Sequence, residues 1–341
     1  MTKYSKKWRR AHSAIFASLV CLASTAGCST LAESADPAGP VPNAQLGPFR
    51  SLRQTELGNS RSAPYALRGD AEQSRDVAVV DSDGDPTTLE VVIYAAERRP
   101  GTQESPTVTG QRLVRYTAED GRSAARQGTV VLEADEPWEG GVVAQPSVLV
   151  LGGVHRIYYA TAGGIASAEG PSGGTFVKAG LVLQPRQTGW DAGAVPESPG
   201  VIQREDGSLC MFYSAKGQDG TWAIGQATSM DGRSWQRSLE AVLRPRSEEG
   251  EVALGGPFAL RSTSALGRRL RHVYFHVESV AGKSTIALAS RASDDAPLQR
   301  SVGPVFGSAG TLNPTEPCVL CLLYTSPSPR DRTRSRMPSS A

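Results

Sequence analysis

The chain has 341 residues, 39% of them apolar and 21% charged, with 36 glycines. That balance excludes a disordered or membrane-spanning protein, and the length allows one large domain or two ordinary ones. The formal charge of +2 is a product of the two ends: residues 1–27 hold five basic residues and no acids, residues 321–341 hold four arginines and one aspartate, and the 27 basic and 33 acidic residues left between them give a net of −6, which excludes a nucleic-acid footprint.

The first element is a targeting segment. Lys6, Lys7, Arg9 and Arg10 form a basic stretch, and AIFASLVCLASTAG follows as an apolar run too short to span a bilayer comfortably. It ends at Thr25-Ala26-Gly27-Cys28. This resembles the bacterial lipoprotein signal, in which the cysteine becomes the lipidated first residue; a leucine is usual where Thr25 stands, and the alternative is an ordinary secretory signal cut near the same place. The resemblance implies a signal peptide over 1–27 and acyl chains on Cys28, each methylene of which would contribute about 0.8 kcal/mol to anchoring. Ser29 in place of Asp resembles an outer-membrane passenger. Residues 28–60, rich in Ala, Pro, Gly and Ser, read as a flexible tether.

From residue 61 the chain repeats itself. The stretch AIGQATSMDGRSW (223–235) is a strand, a tight turn and an aromatic, and LVRYTAEDG (113–121), GIASAEGPSGGTFVK (164–178) and TIALASRASDDAPLQR (285–300) follow the same pattern. Val114, Ile165, Ile224 and Ile286 correspond; downstream of each come Val131-Leu132, Val182-Leu183, Val242-Leu243 and Val305-Phe306. Upstream of each lies an apolar run and an aromatic-rich run, as in PSVLVLGGVHRIYYAT and PGVIQREDGSLCMFYSA. The unit is four strands, and its recurrence is the mark of propeller blades. The fold predicted is all-β: a five-bladed β-propeller of four-stranded antiparallel blades over 61–319, with Thr315-Glu316-Pro317-Cys318-Val319 opening a truncated last blade. Asp231-Gly232 supplies a hairpin turn and Trp235 packs over it, so Asp231 reads as structural.

Residues 320–341 share no pattern with what precedes them and resemble a translated sequencing adapter, so Cys318-Val319-Leu320-Cys321 is not read as a redox or zinc motif. No disulfide framework is implied by the five cysteines.

The blade pattern, the S-x-D-G-x-x-W stretch at Ser229–Trp235 and the Pro-led innermost strands resemble the five-bladed arabinanase, β-xylosidase and invertase glycosidases. In that family three carboxylates at the starts of innermost strands converge on a central funnel. The resemblance puts Asp76, followed here by Val77 where Pro is common, at the base or nucleophile position, and Glu197, in Pro196-Glu197-Ser198-Pro199, at the acid position. Gln145-Pro146 stands where the family has Asp-Pro, and a glutamine cannot supply the charge that holds an acid's pKa up. Asp135, Glu136 and Glu139 are candidates to take that place. Gln145, Glu316, Trp138 and Trp190 are candidate substrate-binding residues, the indoles as sugar-stacking platforms with core packing as the alternative. His155, His272 and His276 show no ligand spacing; neither a metal nor any other cofactor is implied. Because of Gln145 the sequence favours a non-catalytic surface lipoprotein that binds glycan or protein, held to the membrane only by its lipid, with hydrolysis of arabino-, xylo- or fructo-oligosaccharides as the alternative.

Overall fold

The computed structural model describes residues 19–21, 74–81, 91–98, 110–118, 128–263, 269–307 and 314–321. Cys28, the tether and residues 322–341 lie outside them, as does the turn expected at Asp120-Gly121.

Apart from two single-turn 3₁₀ helices at Pro137–Glu139 and Ser247–Glu249, the regular structure among the described residues is all strand. After the short β1 (Leu19–Cys21), the first sheet is β2 (Ser74–Asp81), β3 (Val91–Arg98), β4 (Gln111–Ala118) and β5 (Thr129–Glu133), paired in chain order and antiparallel. The second is β6 (Ala144–Leu151), β7 (Val154–Thr161), β8 (Gly164–Pro171) and β9 (Val177–Leu183). The third is β10 (Glu197–Gln203), β11 (Leu209–Lys216), β12 (Trp222–Ser229) and β13 (Gln236–Arg237). The fourth is β14 (Glu251–Thr263), β15 (Arg269–Ser279), β16 (Ser284–Arg291) and β17 (Gln299–Arg300), joined to the third by one parallel bridge, Trp222 to Ala253. Finally β18 (Val319–Cys321) pairs in parallel with β1, Leu19 opposite Val319.

The repeated apolar positions explain why these segments are strands of one kind. Val114, Ile165, Ile224 and Ile286 sit near the start of the third strand of each sheet, and all four are buried. Three of them pair across to the downstream apolar position, Ile165 to Leu183, Ile224 to Leu243 and Ile286 to Phe306, while in the first sheet Val114 pairs with Val130 and its neighbour Leu113 with Leu132.

The aromatic-rich second strands hold the sheets to one another. Side chains on a strand alternate faces, so two adjacent rings point into two different interfaces. On β7, Tyr159 enters the cluster with Tyr94, Val92 and Leu113 of the first sheet, while Tyr158 enters the cluster with Met211 and Val201 of the third. On β11, Tyr213 faces back to the second sheet and Phe212 forward to Phe275 and Leu254 of the fourth. On β15, Phe275 faces back and Tyr274 forward, into a cluster with Val319. Cys318 closes the circuit by packing with Val79, Val91 and Ile93 of the first sheet. Each buried ring contributes on the order of 1.5–3 kcal/mol; such rings fill the interfaces between successive sheets, while the contact of segment 314–321 with the first sheet buries Cys318 against Val79, Val91, Ile93 and Ala118. The segment 314–321 therefore lies between the fourth and the first sheet, and the first strands of the sheets face a common centre.

Candidate functional site

Each innermost strand carries a kink at the same place. Asp76, Gln145, Ser198 and Glu316 are the non-glycine residues with positive φ among the described residues, at 43°, 50°, 51° and 50°, and Gly256 stands at the equivalent point of β14 with φ 55°. In the four sheets the pairing register slips there, between Arg75 and Val77, Ala144 and Ser147, Glu197 and Gly200, and Gly255 and Phe258. A proline follows the kinked residue in four cases: Pro146, Pro199, Pro257 and Pro317. A left-handed backbone on a side-chain-bearing residue costs of order 1–3 kcal/mol, and the residue before a proline is restricted further. Four such residues stand at equivalent points of the fold. The kink turns all five residues toward one small pocket, open to solvent and lined by Asp76, Gln145, Ser198, Gly256, Glu316 and their prolines.

Glu316 is the hub of this pocket. Its Oε1 accepts hydrogen bonds from Gln145 Nε2 at 3.2 Å and from Ser198 Oγ at 3.3 Å. Gln145 is itself fixed, because its Oε1 accepts from the Ser198 amide at 3.0 Å, which leaves Nε2 facing Glu316. The Gln145 amide nitrogen donates to Asp76 Oδ2 at 3.3 Å. On the other side, a Cβ on Gly256 would come 2.8 Å from Glu316 Oε2, so only glycine leaves room for the carboxyl. Desolvation, then the negative charges of Asp76 and Glu197, push the Glu316 carboxyl up to about 8. Near neutral pH it is a carboxylic acid beside two other acids, an arrangement that can hold and move a proton. Asp76 and Glu316 meet in the lining; Glu197, one residue before the kink and half-buried, acts on Glu316 through its charge.

Other sequence candidates lie elsewhere. Trp190 is 6% exposed and stacked on Tyr213 at 6.2 Å between ring centroids, in a slot that exists because Gly225 carries no side chain. It belongs to the core between the second and third sheets, which corrects its reading as a platform for sugar. Trp138 is half-buried against the core of the first two sheets, with the Lys178 ammonium 6.0 Å from its ring, and does not line the pocket. Glu139 does not replace the missing acid: it is fully buried and accepts from Lys178 Nζ at 2.7 Å, Tyr159 Oη at 3.0 Å and the Glu136 amide at 2.9 Å. Asp135 pairs with the same lysine, and neither it nor Glu136 lines the pocket. His276, on β15, packs its ring against Gly255. Among the described residues no group of three or more His, Cys, Asp or Glu is arranged to hold a metal ion.

Sequence reasoning missed Ser198 and Gly256. The available signal was the kinked residue before proline, repeated at Gln145-Pro146, Ser198-Pro199, Gly256-Pro257 and Glu316-Pro317.

No family model matches the sequence, and no curated protein matches it. Solved structures share the fold. Zg3597, a family 117 glycoside hydrolase produced by the marine bacterium Zobellia galactanivorans, superposes with a TM-score of 0.53 and 17% identity over 74% of each chain. A glycosyl hydrolase from Bacteroides ovatus gives 0.50 and 16% over 69% of this chain and 71% of that one. A structure from work on the family 130 mannoside phosphorylases, which contain glycoside hydrolases that target β-1,2 mannosidic linkages in Candida mannan, gives 0.51 and 17% over 70% and 73%. At these identities the likeness is one of fold: the chain shares the propeller-like architecture of these glycoside hydrolases.

Proposed function

We propose that the axial pocket binds a glycan and hydrolyses a glycosidic bond. The observation that carries this reading is the Glu316 carboxyl, held protonated near neutrality in a pocket it shares with Asp76, with the charge of Glu197 acting on it. Neighbouring carboxyls whose environments push them apart are the usual means of running acid and base chemistry at one pH. Glu197 is the general acid that protonates the leaving oxygen. Asp76 is the base or nucleophile on the other face of the sugar ring. Gln145 holds both flanks in place through Ser198, Glu316 and its own amide. The substrates are arabino-, xylo- or fructo-oligosaccharides, the classes implied by the sequence resemblance.

The test is hydrolysis of those three oligosaccharide classes, and of 4-nitrophenyl α-L-arabinofuranoside and β-D-xylopyranoside, by the full chain and by Asp76→Asn and Glu197→Gln. The expected loss in each variant is roughly 10²–10⁴-fold in kcat. Equal rates in wild type and variants would remove both residues from the chemistry.

A second reading is glycan binding without cleavage. It is favoured by Gln145, an amide in the place where the resembling family has a third carboxylate. Calorimetric binding of the same oligosaccharides, with no cleavage by the wild type, would establish it over the first.

Two finer features complete the proposal. The five kinked residues and the apolar clusters on both sides of segment 314–321 support a ring of five sheets, of which that segment opens the fifth. Acyl chains on Cys28 tether the ring to the cell envelope, on the strength of the leader sequence; Cys28→Ser would then shift the protein from the membrane to the soluble fraction, and an unchanged membrane fraction would refute the anchor.

A further inference from the structure

In the first two sheets the side chain of the kinked residue receives the backbone amide of the next one. Asp76 Oδ2 accepts from the Gln145 N–H at 3.3 Å, and Gln145 Oε1 accepts from the Ser198 N–H at 3.0 Å. The third sheet departs from this rule. Ser198 turns its hydroxyl to Glu316 Oε1, and the amide of the next kinked residue, Gly256, is received by Ser214 Oγ at 3.1 Å, from the neighbouring strand β11. We propose that Ser214 is a positioning residue of the axial pocket: it fixes the Gly256 backbone as the wall against which the Glu316 carboxyl rests. Its catalytic meaning rests on the hydrolase reading; its test does not.

Ser214 is 1% exposed and Gly256 is buried, so their hydrogen bond is made away from water. Without the Ser214 hydroxyl the Gly256 N–H would be buried with no acceptor, a state the backbone turns to avoid. Glycine turns easily: at φ 55° it has no Cβ to narrow its choice of conformation, and no side chain of its own to tie it down. The wall it forms is close. A Cβ at 256 would stand 2.8 Å from Glu316 Oε2 and 3.0 Å from its Cα. A small rotation of this backbone therefore either presses on the carboxyl or uncovers it to water.

Ser214 has a second tie to the site, as the register partner of Glu197 across the β10–β11 pair. One residue thus joins the strand that carries Glu197 to the strand that backs Glu316. It also sets Ser198 free, since a serine at 214 takes the amide that the kinked residue would otherwise receive. No bond or proton changes hands at Ser214; its part is geometric.

The experiment is a ¹³C NMR titration of side-chain carboxyls on the full chain, with Glu316→Gln used to assign the Glu316 signal. Ser214→Ala removes the acceptor, and Ser214→Cys replaces it with a weaker one. Ser290→Ala is the control: it removes another buried serine hydroxyl, on β16 beside His272, that does not line the pocket. In Ser214→Ala the Glu316 midpoint is expected to move down by about one pH unit or more, as water reaches the carboxyl. Ser214→Cys should move it the same way by less, and Ser290→Ala should leave it in place. A midpoint in Ser214→Ala within about 0.3 unit of the wild type would overturn the inference, as would an equal shift in Ser290→Ala. Should Ser214→Ala fail to fold, Ser214→Cys decides on the same terms. If the glycosides are cleaved, kcat should fall roughly 10- to 100-fold in Ser214→Ala with KM nearly unchanged. A raised KM with unaltered kcat would overturn the positioning role in catalysis. Absence of any cleavage by the wild type would count against the hydrolase reading alone, because the titration needs no substrate.

Discussion

Two sets of acids in this molecule, one buried and one half-buried, are built on opposite principles. Between the second and third sheets Asp191 is fully buried, and it is paired with two arginines: Arg186 at 2.6 Å and Arg237 at 3.0 Å, with the Tyr213 hydroxyl donating at 2.9 Å. Glu139, under the second sheet, has Lys178 and Tyr159 in the same roles. At the axis, Glu316 takes its hydrogen bonds from neutral groups and faces two more acids. The fold is able to compensate an acid, as the first set shows. Glu316 has only neutral hydrogen-bond partners among the described residues, at positions where the backbone is also strained, and that sets it apart from a structural ion pair. Burial of a carboxylate by itself distinguishes nothing.

The comparison is broken most severely at Asp191. Replacing it by alanine leaves two guanidiniums at a buried interface with no countercharge. The expected cost is about 3–5 kcal/mol, read from urea unfolding. The raised Tyr213 hydroxyl, whose shift owes most to burial and next to Asp191, would also return toward its ordinary value. A loss under 1 kcal/mol would show that the arginines are solvated and that the contrast with the axis is weaker than drawn.

The next effect tests the frame that keeps the two sets apart. The turn at Asp231-Gly232 docks on the second sheet: Arg156 donates to the Asp231 carbonyl at 2.8 Å and Tyr158 to the Gly232 carbonyl at 3.1 Å. Gly232 has φ 75°, and a Cβ there would run into the Arg156 guanidinium and the Tyr158 hydroxyl. Gly232→Ala combines an unfavourable backbone with overpacking, for a loss of about 2–3 kcal/mol. Asp231 itself spends its carboxylate on the amides of Arg233 and Ser234 and the Ser229 hydroxyl, which hold it well below the usual carboxylate range. It stabilises the turn and takes no part in the site. Thermal melts of Gly232→Ala that match wild type would contradict the docking geometry.

Much of this architecture was legible in the residues. The third-strand anchors and the paired aromatics recur because an apolar alternation of period two specifies both faces of each sheet. Asp76 and Gln145, placed by the sequence at the head of innermost strands, line the pocket, and Glu197 stands one residue before its kink. What the sequence concealed depends on partners far apart in the chain. Trp190 looks like an exposed indole beside a strand, and only the gap left by Gly225 on another strand buries it. Glu139 looks like a loop acid, and only Lys178, 39 residues on, makes it structural. The weight of Glu316 comes from Gln145 and Ser198, 171 and 118 residues away. A positive φ before proline leaves no local trace except the repetition of X-Pro, and Asp76-Val77 breaks that pattern in the first sheet.

The smallest effect has the opposite sign, and it bears most directly on the contrast. The Glu316 carboxyl is raised to about 8 in the folded protein from an ordinary 4.5. The folded state therefore binds this proton more tightly than the unfolded chain does. The stability it confers is fully present below about pH 4.5 and is lost as pH rises through about 8. Glu316→Gln removes the ionising group while keeping an oxygen for the Gln145 and Ser198 donors. The variant should be close to wild type at pH 5 and more stable by about 1–2 kcal/mol at pH 9; the figure is well short of the whole linkage free energy because the carboxyl looks into an open pocket and shares its titration with two neighbours. Removing the acid at Asp191 thus weakens the protein, whereas removing the one at the axis strengthens it as pH rises above about 4.5. Denaturation midpoints for the two variants at pH 5 and pH 9 give the signs directly. A Glu316→Gln protein that is less stable at pH 9 than wild type would mean that the axial acid is compensated after all, and the distinction between the two sets would then have to rest on backbone strain alone.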